Sequence, residues 1–476
     1  MFRLFRLPLG LLAILWLVAG CSRLAPPGPE QPLVVGLPAN PLFQQQAHPT
    51  EGMEGFSRDI TALFAAKLGV GIRYIVAPTH AELRALVHTG KVHFAAAMPV
   101  EPDDAQLRYT PPLRTTRQVV VQPVGMLPLD GLEGLAGREV SVMPGAPQIA
   151  TLRGLGIDPP PIPVPRENLD ELELLERAVR RQELAATDDL HATVGANFHP
   201  DLGIAVELPA TLDYAWAFAP RFDGLREQAS AFIDGLREDG TLRRLDDRYF
   251  GYIRRIAPRD IGIFLVRIRT HLPDFRAFFQ EAQEETGIDW RLLAALAYQE
   301  SKWDPLATSP TGVRGLMMLT EDTADRLGVT NRLDAKQSIR AGSRYLAMLM
   351  DELPPEVGYP DRMWLALAAY NLGMGHLRGA RAFAPGLGRD PNSWLDMKQV
   401  LPLMARPEYY ERLKSGRARG GEAVILVENV RNYYDVLSRF EPTYTPPTLG
   451  GRSGIRKMQG KSSAQRAGAS AASPPR

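Results

Sequence analysis

The hydrophobic periodicity of this chain changes once, and that change limits the folds open to it. From Leu33 to about Gly251, short apolar and β-branched runs alternate with amphipathic helical stretches. Beyond Gly251 strand-like runs nearly vanish, and apolar residues recur at helical spacing. A strand alternates faces at every residue while a helix repeats at about 3.6, so neither pattern builds the other structure. In the first stretch residues 33–37, 71–76, 118–122 and 139–143 read as strands. Residues 56–68, stopping at Gly69, and residues 81–88 and 169–181 read as helices. The proline-rich residues 159–165 read as a surface loop. Strands alternating with helices predict an α/β domain with a mostly parallel sheet. In the second stretch residues 275–285, 290–301, 335–352, 362–371 and 423–440 read as helices, with long loops around 302–318 and 373–392. The fold class is therefore multidomain, α/β followed by all-α. A length of 476 residues agrees, since one domain takes roughly 100–200. From residue 443 to 476 Pro, Gly, Ser, Ala and basic residues dominate, a composition that predicts a disordered tail.

The 55 Lys and Arg nearly balance 54 Asp and Glu, so nothing in the charge calls for nucleic acid. One cysteine excludes a disulfide framework and a Cys-rich zinc site within the chain. That cysteine is Cys21. Before it, Arg3 and Arg6 precede an apolar run, residues 7–20, shorter than the roughly 20 residues a membrane-spanning helix needs. A basic start, a short apolar stretch and small residues at its end make a secretory signal over residues 1–20. Leu17-Val18-Ala19-Gly20-Cys21 resembles the bacterial lipoprotein signal, in which the cysteine becomes the lipidated first residue. The alternative is a signal anchor with an accidental cysteine. The lipoprotein reading tethers a soluble body to a membrane surface through Cys21 and a proline-rich linker, residues 21–32. Ser22 in the next position, rather than Asp, favours by analogy the periplasmic face of the outer membrane of a Gram-negative envelope.

Chemistry concentrates in the second stretch. Leu292-Leu293-Ala294-Ala295-Leu296-Ala297 is wholly apolar and leads through Tyr298 and Gln299 into Glu300. A carboxyl at the end of a buried helix is placed where desolvation raises its pKa, as a general acid at neutral pH requires. A solvent-facing Glu at a frayed helix end is the plainer alternative. Asp304 precedes Pro305 and reads as a turn residue, not a second acid. The histidines show no ligand spacing, so neither a metal nor an organic cofactor is expected.

Two resemblances extend this reading. Gly55-Phe56-Ser57-Arg58-Asp59-Ile60, Gly90-Lys91-Val92-His93-Phe94, Tyr109-Thr110-Pro111-Pro112, Ala186-Thr187-Asp188 and Arg248-Tyr249-Phe250-Gly251 resemble the solute-binding proteins of amino-acid uptake. The likeness spans residues 33–251. It implies two α/β lobes with a ligand cleft between them, taking a muropeptide or small solute. Asp103 stands where that family places the Arg that clamps a ligand carboxylate, and His93 where it places an acid, so a free amino acid fits poorly. A lone His in a strand is more often structural.

Glu300-Ser301, Gly315-Leu316-Met317 and Ala369-Tyr370-Asn371 resemble, in order and spacing, the soluble-lytic-transglycosylase and goose-type-lysozyme fold. With the upstream domain and the lipoprotein signal, the chain resembles the membrane-bound lytic murein transglycosylase F family. The resemblance implies an all-α lysozyme-like domain over residues 252–442 that cleaves the β-1,4 bond between N-acetylmuramic acid and N-acetylglucosamine in peptidoglycan. Glu300 would protonate the bridging oxygen, then take the proton of the muramyl C6 hydroxyl as that oxygen closes on C1 to a 1,6-anhydro sugar. Ser309, Met317 and Met318 would line the glycan groove, and Tyr370 and Asn371 would bracket Glu300. Trp303 fits groove wall and core equally. Leu426 replaces a family Tyr that contributes a hydroxyl near the acid. A lysozyme-type hydrolase, or a non-catalytic glycan-binding or solute-sensing lipoprotein, are the other readings.

Overall fold

A computed structural model describes residues 24–39, 55–101, 103–253, 256–412 and 414–446. The leader with Cys21, and the tail read from residue 443 but for its first residues, lie outside the described residues. No described helix is long and apolar enough to cross a membrane.

The N-terminal half runs β1 (Leu33–Pro38), α1 (Phe56–Leu68), β2 (Ile72–Ala77), α2 (His80–His88), β3 (Phe94–Pro99), β4 (Arg108–Tyr109), β5 (Arg114–Pro123) and β6 (Glu139–Val142). It continues with α3 (Gln148–Arg153), β7 (Ile162–Pro165), α4 (Glu171–Arg181), β8 (Leu184–Asp188), α5 (Asp189–Ala196), β9 (Leu202–Phe218), α6 (Asp223–Glu238) and α7 (Thr241–Phe250). Every residue of β1 and β3 is buried, as expected of strands covered on both faces. The strands form one sheet in the order β2-β1-β3-β9-β5-β8-β6-β7, with β4 also on β9. Strands β1, β2 and β3 pair in parallel, as do β6, β7 and β8. Between these groups lies the long antiparallel pair β5 and β9, which runs from Arg114 opposite Tyr214 to Pro123 opposite Leu202 and shifts register between Arg117 and Val119 and again between Val120 and Val121. This pair carries the chain between two lobes.

The structure corrects the reading of residues 159–165 as a loop, because Ile162–Pro165 is strand β7. Pro163 and Pro165 have no N–H to give, and β7 is the outermost strand, the place where proline is tolerated. Ile162 and Arg166 supply the donors, to the carbonyls of Arg138 at 2.9 Å and Val142 at 3.0 Å. His93 is structural. Its Nδ1 accepts from the Val34 N–H at 2.8 Å, and its Nε2 meets the Ala25 carbonyl at 2.7 Å.

The C-terminal half contains α8 (Pro258–Thr270), α9 (Leu272–Thr286), α10 (Trp290–Ser301), α11 (Glu321–Arg326), α12 (Ala335–Asp351), α13 (Asp361–Leu372), α14 (Met374–Phe383), α15 (Trp394–Val400), α16 (Pro407–Tyr410) and α17 (Gly420–Phe440). The expected loop at 373–392 is also corrected, since α14 occupies its first half. Two glycines in Met-Gly-His-Leu-Arg-Gly weaken its helical signal, but burial of Met374, Leu377 and Ala380 secures it. The halves share a joint. Arg431 of α17, 2% exposed, pairs with Glu428 at 2.8 Å and donates to the carbonyls of Asp247 at 2.8 Å and Arg248 at 2.9 Å. It thereby gives a charged donor to two carbonyls at the end of α7, that of Arg248 and that of Asp247, which also accepts the Gly251 N–H at 3.0 Å. Lys398 pairs with Asp247, and the Trp394 indole N–H donates to Glu428 at 2.6 Å.

Candidate active site

Helix α10 is the buried axis of the C-terminal half. From Trp290 through Tyr298 all its residues are buried. At its start Asp289 caps the Arg291 N–H at 2.9 Å and accepts the Tyr434 hydroxyl at 2.8 Å. At its end Lys302 and Trp303 both adopt left-handed backbone, with φ of 56° and 60°. Two such residues in succession are costly for side chains with a Cβ, and packing must hold them. Trp303 does so, fully buried, with its indole N–H on the Ala294 carbonyl at 2.8 Å and its ring 4.8 Å from that of Tyr298. It is core, not groove wall. The reversal turns the chain back and leaves Glu300 at the rim of the buried helix.

Glu300 is partly buried, and among the described residues no hydrogen bond reaches its carboxyl. Burial pushes its pKa up to about 7, against the opposing charge of Lys302. Both forms of the acid are therefore accessible at neutral pH. Asp304 is exposed and accepts the Leu306 N–H at 2.9 Å, a turn role.

Residues 315–318 are fixed beside this end of α10. The Ser301 hydroxyl donates to the carbonyls of Ala297 at 3.0 Å and Leu316 at 2.9 Å. The Met317 N–H donates to Ser338 at 3.1 Å, and the Tyr370 hydroxyl donates to the Met317 carbonyl at 2.6 Å. Gly315 has φ of 81°, and a Cβ there would lie 1.9 Å from the Arg332 carbonyl oxygen, so only glycine fits. Tyr370 stands close enough to Glu300 that the carboxylate charge, after burial, pushes its hydroxyl pKa up.

The site residues expected from sequence divide. Tyr370 meets the Glu300 segment; Asn371 is exposed at the end of α13. Met317 is fully buried, which corrects its expected place in a groove wall. Its side chain packs against Gly342 of α12, and it offers the site only its backbone. Met318, turned outward by a φ of 47°, is partly exposed. Ser309 folds its own loop, accepting the N–H groups of Thr311 at 3.2 Å and Val313 at 3.3 Å. Leu426 is buried on α17. One turn further, Asn429 donates to the Gln299 side chain at 3.2 Å. Sequence reading missed Asn429, and no local signal marks it, because its partner lies 130 positions away.

The fold and this site define a two-part class, a binding-protein-like half followed by a transglycosylase-like half. Residues 33–252 match the family of bacterial extracellular solute-binding proteins, family 3, and residues 277–389 match the transglycosylase SLT domain. Proteins named membrane-bound lytic murein transglycosylase F are similar along most of the chain. That of Nitrosospira multiformis is 41% identical over 394 residues, 82% of each chain. That of Thiobacillus denitrificans is 41% identical over 436 residues, 90% of this chain and 92% of its own. Among solved structures, an ancestral arginine-binding protein bound to arginine is 22% identical, covering 46% of this chain and 97% of its own, with a TM-score of 0.41. The chain belongs to the membrane-bound lytic murein transglycosylase F family.

Proposed function

We infer that the protein is a peptidoglycan lytic transglycosylase of the cell envelope, with Glu300 as both acid and base. The observation that carries this reading is a solitary carboxyl at the end of a buried helix, with no hydrogen-bond partner among the described residues and a pKa near 7. Protonated Glu300 gives its hydrogen to the oxygen between N-acetylmuramic acid and N-acetylglucosamine, and that bond breaks at C1. The resulting carboxylate takes the proton of the muramyl C6 hydroxyl, whose oxygen bonds C1. Acid and base are thus one group, and the hydroxyl replaces the second carboxylate that a glycoside hydrolase ordinarily uses. Tyr370, held on Met317, fixes the wall beside the acid. Met318 and Asn371, both accessible, meet the glycan, while Ser309 shapes the loop that follows.

Residues 33–251 form a regulatory half that binds a muropeptide or small solute, and residues 252–442 form the catalytic half. Cys21 carries the lipid anchor on the periplasmic face of the outer membrane. Purified sacculi digested with the wild type should release muropeptides with 1,6-anhydro ends, and Glu300→Gln should release none. Reducing muramyl ends would instead assign a hydrolase, and unchanged turnover by Glu300→Gln would remove the acid from position 300.

A further inference from the structure

A second site lies in the N-terminal half, in the cleft between the lobes. It has a volume of about 560 Å³, within the range of small-molecule pockets. One wall is α2 and the loop after β3, the other is α3, and the floor is the β5–β9 crossover pair. The charge of its lining is one-sided. Glu101, Asp103, Asp104 and Asp213 face two guanidinium groups, Arg84 and Arg153, a formal excess of two negative charges. Arg84 is spent on Glu101, and Asp104 pairs with His88 at 3.0 Å. Asp103 has no ion pair among the described residues, and the Asp213 carboxylate accepts only the Thr115 hydroxyl there. Asp188, at the end of β8, belongs to the protein interior: His191 at 2.7 Å and Tyr214 at 2.6 Å hold its carboxylate.

An independent feature of the same cleft is Gln118 on β5. It is 3% exposed and lines the cleft, yet its side-chain oxygen has no hydrogen-bond partner. Its amide nitrogen faces the Thr211 carbonyl at 3.4 Å, so exchanging oxygen and nitrogen would set two acceptors against each other. A buried acceptor left unpaired is costly, and a donor supplied by a ligand removes that cost.

The geometry points to a cleft that binds a small molecule carrying a primary ammonium, with Gln118 accepting from the ammonium and Asp103 and Asp213 supplying the countercharge. Arg153, exposed at the end of α3, leaves room for a carboxylate on the same molecule.

The inference rests on the N-terminal half being a ligand-binding module, and calorimetry on the full mature chain tests it without reference to turnover. L-Lysine and cadaverine should each release a heat of binding and raise the unfolding midpoint at low ionic strength, and glutarate, which carries carboxylates but no ammonium, should do neither. Gln118→Leu should weaken L-lysine about tenfold, the worth of one hydrogen bond to a charged donor. Without ligand it should unfold close to the wild type, because it removes an unpaired acceptor together with one long bond, 3.4 Å, to the Thr211 carbonyl. Asp103→Asn should weaken both amines by a smaller factor and lessen the salt dependence of binding. Failure of both amines to bind, or equal affinities in wild type and both variants, overturns the inference. An inactive wild type on sacculi with intact amine binding would instead unseat Glu300 alone.

Discussion

Replacing Glu300 by Gln should abolish turnover and stabilise the protein at the same time. Folding lifts the carboxyl from its model-compound value of 4.5 to about 7 because burial disfavours the charged form. Each unit is worth about 1.4 kcal/mol, so a native state that must ionise this group carries a penalty of roughly 3 kcal/mol. The sign follows from proton counts. Between pH 4.5 and about 7 the native state holds a proton that the unfolded chain has lost, so stability falls as pH rises through that window. Below the window both states are protonated and the group contributes nothing. Gln is never charged and escapes the penalty. Urea or thermal unfolding of wild type and Glu300→Gln, paired at intervals from pH 4 to 8, should give a difference near zero at the acid end. It should grow to a few kcal/mol in favour of Gln at pH 8. A pH-independent difference, or a less stable Gln variant at pH 8, would refute the claim that dehydration sets this acid. Turnover should also decline about tenfold per pH unit above 7, as the proton-donating form is lost.

Three further outcomes test the scaffold. Gly315→Ala should be severely destabilising, because its Cβ meets the Arg332 carbonyl at 1.9 Å on backbone with φ of 81°; circular-dichroism melts read the loss. Tyr370→Phe leaves the Met317 carbonyl without its 2.6 Å donor and should cost about 1–2 kcal/mol, with a lower rate of sacculus digestion and a stable fold. Arg431→Met strands Glu428, which is fully buried and whose carboxyl burial pushes up but Arg431 and Lys398 together hold below its usual value. Removing one partner of such a pair should cost about 3–5 kcal/mol, measured as a drop in the urea midpoint.

The parts of the molecule legible in the sequence are those whose cause is local. Helix α10 announces itself because a run buried on every side must be apolar on every side, and an acid closing that run is conspicuous. Strand β1 is legible for the same reason. What stayed hidden depends on partners far along the chain. β7 reads as a loop until its place at the sheet edge explains the prolines. Met317 and Met318 are neighbours with opposite fates, decided by one left-handed residue and the packing of Met317 on Gly342. Trp303 is ambiguous until the reversal at Lys302 is seen, and Asn429 enters only because α17 crosses α10.

The joint at Arg431 has a practical corollary for anyone dissecting this enzyme. A cut near residue 251 would take away both carbonyls that receive its guanidinium and leave a hydrophilic stump where a satisfied contact had been. A severed catalytic fragment would then report its own injury together with any release from control. The two halves are better interrogated by point changes in an uninterrupted polypeptide.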